Sequence, residues 1–230
     1  MKRSLFVAFA VGLSACGGNA MQPTAVTPAM LAPAAAPAHS KAGGRLIYAT
    51  GNYTDEVNIY SYANGKLEGT ITYGISEPQG ACSDLKGNVF IANTGTSSIL
   101  EYPHGGTTSN GTLETSGQYP VSCSVASDKT VAVASIESTS GTSGELLLFA
   151  HEAGSPTVVT CPNLQRYYSV GYDNADNLFA DGENSSYSFA FCEVPKGSSK
   201  GIAITLNTLR SWTKIQARST AMPFRVRLES

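Results

Sequence analysis

The phrase "GACSDLKGNVFIANTG" at residues 80–95 is written three times in this chain, with near copies at "SCSVASDKTVAVAS" (122–135) and "SVGYDNADNLFADG" (169–182). Recurrence at a fixed spacing constrains a fold strongly, because each copy must be one structural unit that buries its faces against its neighbours. Laid without gaps, the copies place Pro78 over Pro120 and Asp84 over Asp173. They also place Gly80 over Ser122 and Ser169, and Val89 over Val131 and Leu178. An earlier copy, "LIYATGNYTDEVNIYSYANG" (46–65), opens the region. Ala49, Ala92, Ala134 and Ala180 then recur at spacings of 43, 42 and 46 residues.

Each unit holds short runs of β-branched and aromatic residues, such as "LIYAT", "VNIYSY", "GTITYG" and "QGACS", divided by Gly, Asn, Asp and Ser. That is strand-and-turn grammar, and no helical period runs through it. The 23 glycines and the low share of charged residues, 14%, agree with an all-β chain rich in tight turns. Four strands in about 42 residues make one blade of a β-propeller. The expected fold is therefore all-β: a propeller of four-stranded blades, about four of them, over residues 45–206.

The stretch "PQGACSDLKGNVFIANTGTSSILEY" (78–102) resembles the blade of NHL-repeat propellers and, more loosely, of six-bladed gluconolactonase-like propellers. The shared features are a Pro-Gly-led inner strand, an Asp, a turn ending Gly-Asn, an aliphatic strand, then Ala-Asn and an aromatic-ended strand. Residues 167–191 match well, whereas 120–149 match less because "SDKT" replaces the Gly-Asn turn. The resemblance covers about 46–206 and implies a closed ring of six blades, more than this stretch can hold. Residues 207–230, "NTLRSWTKIQARSTAMPFRVRLES", have no strand–turn phrase, and their charge is reversed. Two readings arise. The segment caps an open four-bladed assembly, or the chain is an incomplete six-bladed propeller whose last residues are foreign to the fold. The second is the expectation.

Ahead of the repeats, "MKRSLFVAFAVGLSAC" (1–16) has Lys2 and Arg3, then the apolar run Leu5–Leu13, then small residues and Cys16. This is the layout of an export signal whose apolar run is too short to span a bilayer stably. The ending "LSAC" resembles the bacterial lipobox, which implies cleavage after residue 15 and lipid on the Cys16 thiol. A lipid bilayer of the bacterial envelope, at the outer membrane or cell surface, is then the first expected partner. Gly17 after the cysteine points to the outer membrane where the cell has one. Residues 16–44, rich in Ala, Pro and Gly, form a tether of about 30 Å root-mean-square span.

Charge narrows the remaining partners. Residues 16–206 carry 8 Lys/Arg against 16 Asp/Glu, whereas 207–230 carry Arg210, Lys214, Arg218, Arg225 and Arg227 against Glu229. The acidic main region argues against nucleic acid. His104 and His151 occupy the same repeat position as Asn64 and Lys196, in the turn between the two outer strands. They are expected to be exposed hairpin residues, and no catalytic residue stands out. The opposite end, where propellers usually hold ligand, offers Asn52, Asp55, Glu56, Asn93, Glu137, Asp181, Glu183 and Asn184. The gluconolactonase-like resemblance implies that a few such oxygens, here Asn52, Asp55, Asn93, Asp181 and Glu183, could hold Ca²⁺ or Mg²⁺. The leading functional reading has no cofactor: a binding or scaffold module taking a protein or small-molecule ligand on the propeller face. The alternatives are a metal-dependent lactonase-like hydrolase and a truncated product without function. Export would permit Cys82, Cys123, Cys161 and Cys192 to pair. Alternation, however, turns Cys82 and Cys123 to opposite faces, so buried free thiols are expected at least as readily as disulfides.

Overall fold

The computed structural model describes residues 44–206. The chain divides into two units, Met1–Ala35 and Ala36–Ser230, and all described residues belong to the second. Cys16 and the signal segment, most of the tether and the basic segment 207–230 lie outside the described residues.

Fifteen strands make four antiparallel sheets in chain order. Blade 1 has three strands, β1 (Leu46–Gly51), β2 (Glu56–Ser61) and β3 (Leu67–Ile71). Blade 2 comprises β4 (Pro78–Ser83), β5 (Val89–Asn93), β6 (Ser98–Tyr102) and β7 (Gly111–Glu114). Blade 3 comprises β8 (Gln118–Val125), β9 (Val131–Ser138), β10 (Leu146–Phe149) and β11 (Thr157–Val159). Blade 4 comprises β12 (Arg166–Tyr172), β13 (Leu178–Glu183), β14 (Phe189–Val194) and β15 (Ile202–Ile204). The all-β propeller expectation, four blades from a repeat near 42 residues, holds over the described residues.

The recurrent phrase is the hairpin between the first two strands of a four-stranded blade. In blade 2, Asp84 Oδ1 accepts the N–H groups of Lys86 (2.9 Å) and Asn88 (2.8 Å), and Asn88 Nδ2 donates to Asp84 Oδ2. Blade 4 repeats this bond for bond, with Asp173 taking Ala175 (2.9 Å) and Asn177 (2.8 Å). Blade 3 keeps the backbone turn, with Ala126 N–H bonded to Thr130 O (2.9 Å), although it lacks the Asp at the head. The turn demands a left-handed residue, supplied by Gly87 (φ +86°), Lys129 (φ +71°) and Asp176 (φ +60°). Glycine takes that conformation without a Cβ penalty.

Three apolar clusters hold the blades, each between consecutive sheets. Val57, Ile59 and Ile71 of blade 1 meet Val89, Ile91 and Tyr102 of blade 2. Phe90, Ala92 and Ile99 then meet Val131, Val133, Leu147 and Phe149 of blade 3. Ala132, Ala134 and Leu146 finally meet Tyr167, Leu178, Ala180, Cys192 and Val194 of blade 4. Alternation lets one strand feed two interfaces, since Val89 and Phe90 face opposite neighbours. Each fully buried aliphatic or aromatic side chain contributes about 1.5–3 kcal/mol.

Two details of the sequence reading are corrected. Val89, Val131 and Leu178 do share a position, each facing the preceding blade. The alanine series does not. Ala92 and Ala134 face the following blade, whereas Ala180 faces the preceding one and Ala49 is exposed. The thiol expectation also fails, because Cys82 pairs with Cys123 and Cys161 with Cys192. Cys82 and Cys123 do lie on opposite faces of their own sheets. In stacked blades those are the two faces that meet, so alternation brings the sulfurs together.

Candidate functional site

The loops that follow β1, β5, β9 and β13 lie at the end opposite the Asp84 and Asp173 turns. Asn93 closes β5 there and is 1% exposed. Its Oδ1 accepts from Ser76 N–H (2.7 Å), and its Nδ2 donates to Gly74 O (2.9 Å) and Thr96 Oγ1 (2.6 Å). Asp55, exposed with φ +50°, accepts the N–H of Glu77 at 2.7 Å. Both residues therefore fasten the crossover between blades 1 and 2. Asn52 sits partly buried in the same turn as Asp55, and Glu56 Oε1 takes a bond from Asn58 Nδ2 (3.0 Å).

Asp181 and Glu183 project from one face of β13, two residues apart. Asp181 is half-buried and accepts Ser169 N–H at 3.0 Å, where a bulge between Tyr167 and Ser169 turns that group toward it. Desolvation holds its pKa above the usual carboxylate range, and the bonds from Ser169 offset this only in part. Stability linked to Asp181 is thus greatest where it is protonated and declines as pH rises past the unfolded carboxylate value. The Asp181→Asn variant, whose Oδ1 can still accept from Ser169, is expected to melt higher than the parent at pH 7. That advantage should vanish below about pH 4, as thermal scans across the range will show.

The second group of side chains converges on Arg166, at the start of β12. Its guanidinium lies 3.7 Å from Glu137 and 4.0 Å from Glu183, and 5.4 Å from the centre of the Tyr187 ring. Burial raises the pKa of the Tyr168 phenol, and the neighbouring Glu183 carboxylate raises it further. Arg166 lines a depression of about 340 Å³ between blades 3 and 4, walled by Glu137, Thr142, Gln165, Asn184 and Tyr187. Asn184 Oδ1 is engaged by Ser186 and Ser188 N–H groups, at 2.9 and 3.0 Å, so it shapes the β13–β14 turn. Among the described residues no group of three or more His, Cys, Asp or Glu side chains is placed to hold a metal ion. His104 and His151 are exposed in the outer-strand turns, as the repeat requires.

Of the expected loop residues, the structure thus gathers Glu137 and Asn184 around one depression, with Glu183 4.0 Å from its Arg166, and keeps Asn52, Asp55 and Asn93 apart from it. The residue that organises the depression, Arg166, went unnoticed in the sequence. Its signal was there: it is the only arginine between residues 46 and 206.

No protein-family model matches the sequence, and no curated protein matches it. Solved structures do match. A hydrazine synthase of Kuenenia stuttgartiensis superposes with a TM-score of 0.60 at 11% identity, covering 69% of this chain and 46% of its own. Virginiamycin B lyase from Staphylococcus aureus gives 0.58 at 14% identity, covering 71% and 53%. A streptogramin B lyase gives 0.57 at 15%, covering 74% and 54%. The fold is a β-propeller. This chain spans about half the length of the solved chains it matches, and at these identities the likeness is one of fold alone.

Proposed function

We propose that this chain is a lipid-anchored protein of the bacterial envelope whose NHL-like propeller binds a ligand without transforming it. The observation that carries the non-catalytic reading is the engagement of the acids at the ligand end. Asp181 takes a backbone N–H, and Glu183 faces Arg166 and the Tyr168 phenol. Each acid thus already serves a contact within the protein, whereas a hard cation takes about six to eight oxygens. The depression beside Arg166 is lined by amides, hydroxyls and one exposed tyrosine ring, a surface suited to a polar, hydrogen-bonding ligand. Two disulfides support export, since such bonds persist in oxidising compartments.

Thermal scans with Ca²⁺, Mg²⁺ or EDTA separate this reading from a metal-dependent lactonase-like one. The expected result is one melting temperature in all three. A cation held by the native state at 100 times its dissociation constant would add about 2.7 kcal/mol. A rise with Ca²⁺ or Mg²⁺ that Asp181→Ala with Glu183→Ala abolishes would establish the hydrolase-like site instead.

A further inference from the structure

Blade 4 has two faces, and the described residues account for one. Leu178, Ala180, Cys192 and Val194 pack on blade 3. Register puts Phe179 beside Glu193 and Ile202 on the other face, and Asp181 beside Phe191 and Ile204. Phe179 and Phe191 stack at 5.9 Å between ring centres. None of these six residues belongs to the three interblade clusters, and Ile202 is 58% exposed. Among the described residues no interblade apolar cluster reaches this face. It is apolar along its middle and acidic beside that, with Asp181 standing where blades 2 and 3 bury Ala92 and Ala134.

We propose that residues 207–230 of the same chain cover this face, with Trp212 seated on Phe179 and Phe191. Three observations identify the occupant. In blades 2, 3 and 4 the strand that covers the preceding blade's face begins after three or six intervening residues from that blade's outermost strand. Counted on from Ile204, connections of the same length reach residues 208 to 211, immediately before Trp212. The segment also complements the face in charge, with Arg210, Lys214, Arg218, Arg225 and Arg227 against the partly exposed Glu193. It supplies apolar groups among those charges: Trp212, Ile215, Phe224, Val226 and Leu228. A face of this kind left open would be a site of edge and patch association.

Trp212 is the only tryptophan of the chain, so its emission reports on this segment alone. In the full-length protein the expected emission is blue-shifted from that in urea, resistant to acrylamide, and unchanged over a hundred-fold dilution. Phe191→Asp should raise the quenching constant several-fold, toward the unfolded value, whereas Tyr60→Asp on blade 1 should leave it unchanged. If Phe191→Asp fails to fold, Glu193→Lys at low salt serves in its place, since it opposes the segment's charge on a partly exposed site. Urea-like emission in the native protein, or emission indifferent to both variants, overturns the proposal. A blue shift lost on dilution while the mass halves also overturns it, by showing that a second copy covers the face.

Discussion

Replacing all four cysteines of the described region by serine is expected to cost the propeller roughly 4–8 kcal/mol, about 2–4 for each disulfide. The bridged residues are 41 and 31 positions apart, and closing loops of that size restricts the unfolded chain by about 4 kcal/mol each in the entropic account. The two bonds act at different places. Cys82–Cys123 joins β4 to β8 across the interface of blades 2 and 3. Cys161–Cys192 joins the exit of blade 3 to β14 of blade 4. A repeat array is held by nearest-neighbour interfaces, so the losses should add rather than overlap. Together they rival the whole stability of an ordinary domain, about 5–15 kcal/mol. Urea unfolding of the parent, the two paired variants and the fourfold variant measures this directly. Equal midpoints with and without dithiothreitol would remove the bonds from the account of stability.

These bonds also show where sequence reasoning stops. The alternation that set Cys82 and Cys123 on opposite faces was sound, but it describes one sheet. Only the stacking of blades says that one sheet's rear face is the next sheet's front. The same gap explains Asn93. Its loop position suggested a ligand group, yet its amide closes a crossover whose partners, Gly74 and Ser76, lie 19 and 17 residues away in sequence. By contrast, the Asp84 and Asp173 turns were legible because all of their bonds fall within four residues. The outer-turn histidines were legible too, since the repeat alone places them. Arg166 was hidden for a third reason. Its neighbours Glu137 and Tyr187 come from separate loops of two blades, so no local pattern joins them.

The largest change expected from one residue concerns Cys16 rather than the propeller. Metabolic labelling with a fatty-acid analogue should mark the parent protein, and Cys16→Ser should carry no label at all. The effect is all-or-none because the thiol is the proposed point of attachment and serine cannot form the thioether. Each buried methylene of an acyl chain adds about 0.8 kcal/mol of membrane affinity, and one chain alone binds only marginally. A diacylglycerol with an N-acyl chain passes that threshold, so the parent should stay with the membrane fraction through high-salt washing. An unprocessed signal could hold Cys16→Ser in the membrane by its apolar run. A second form therefore starts at Gly17 behind an unrelated secretory signal, and it should be recovered soluble with both disulfides formed. The mass of the parent's N-terminal peptide gives an independent check, since it should begin at Cys16 and exceed the unmodified value by the lipid. An unlabelled parent that washes free in salt would leave the propeller untethered, and Leu13–Cys16 would then be the end of an ordinary export signal.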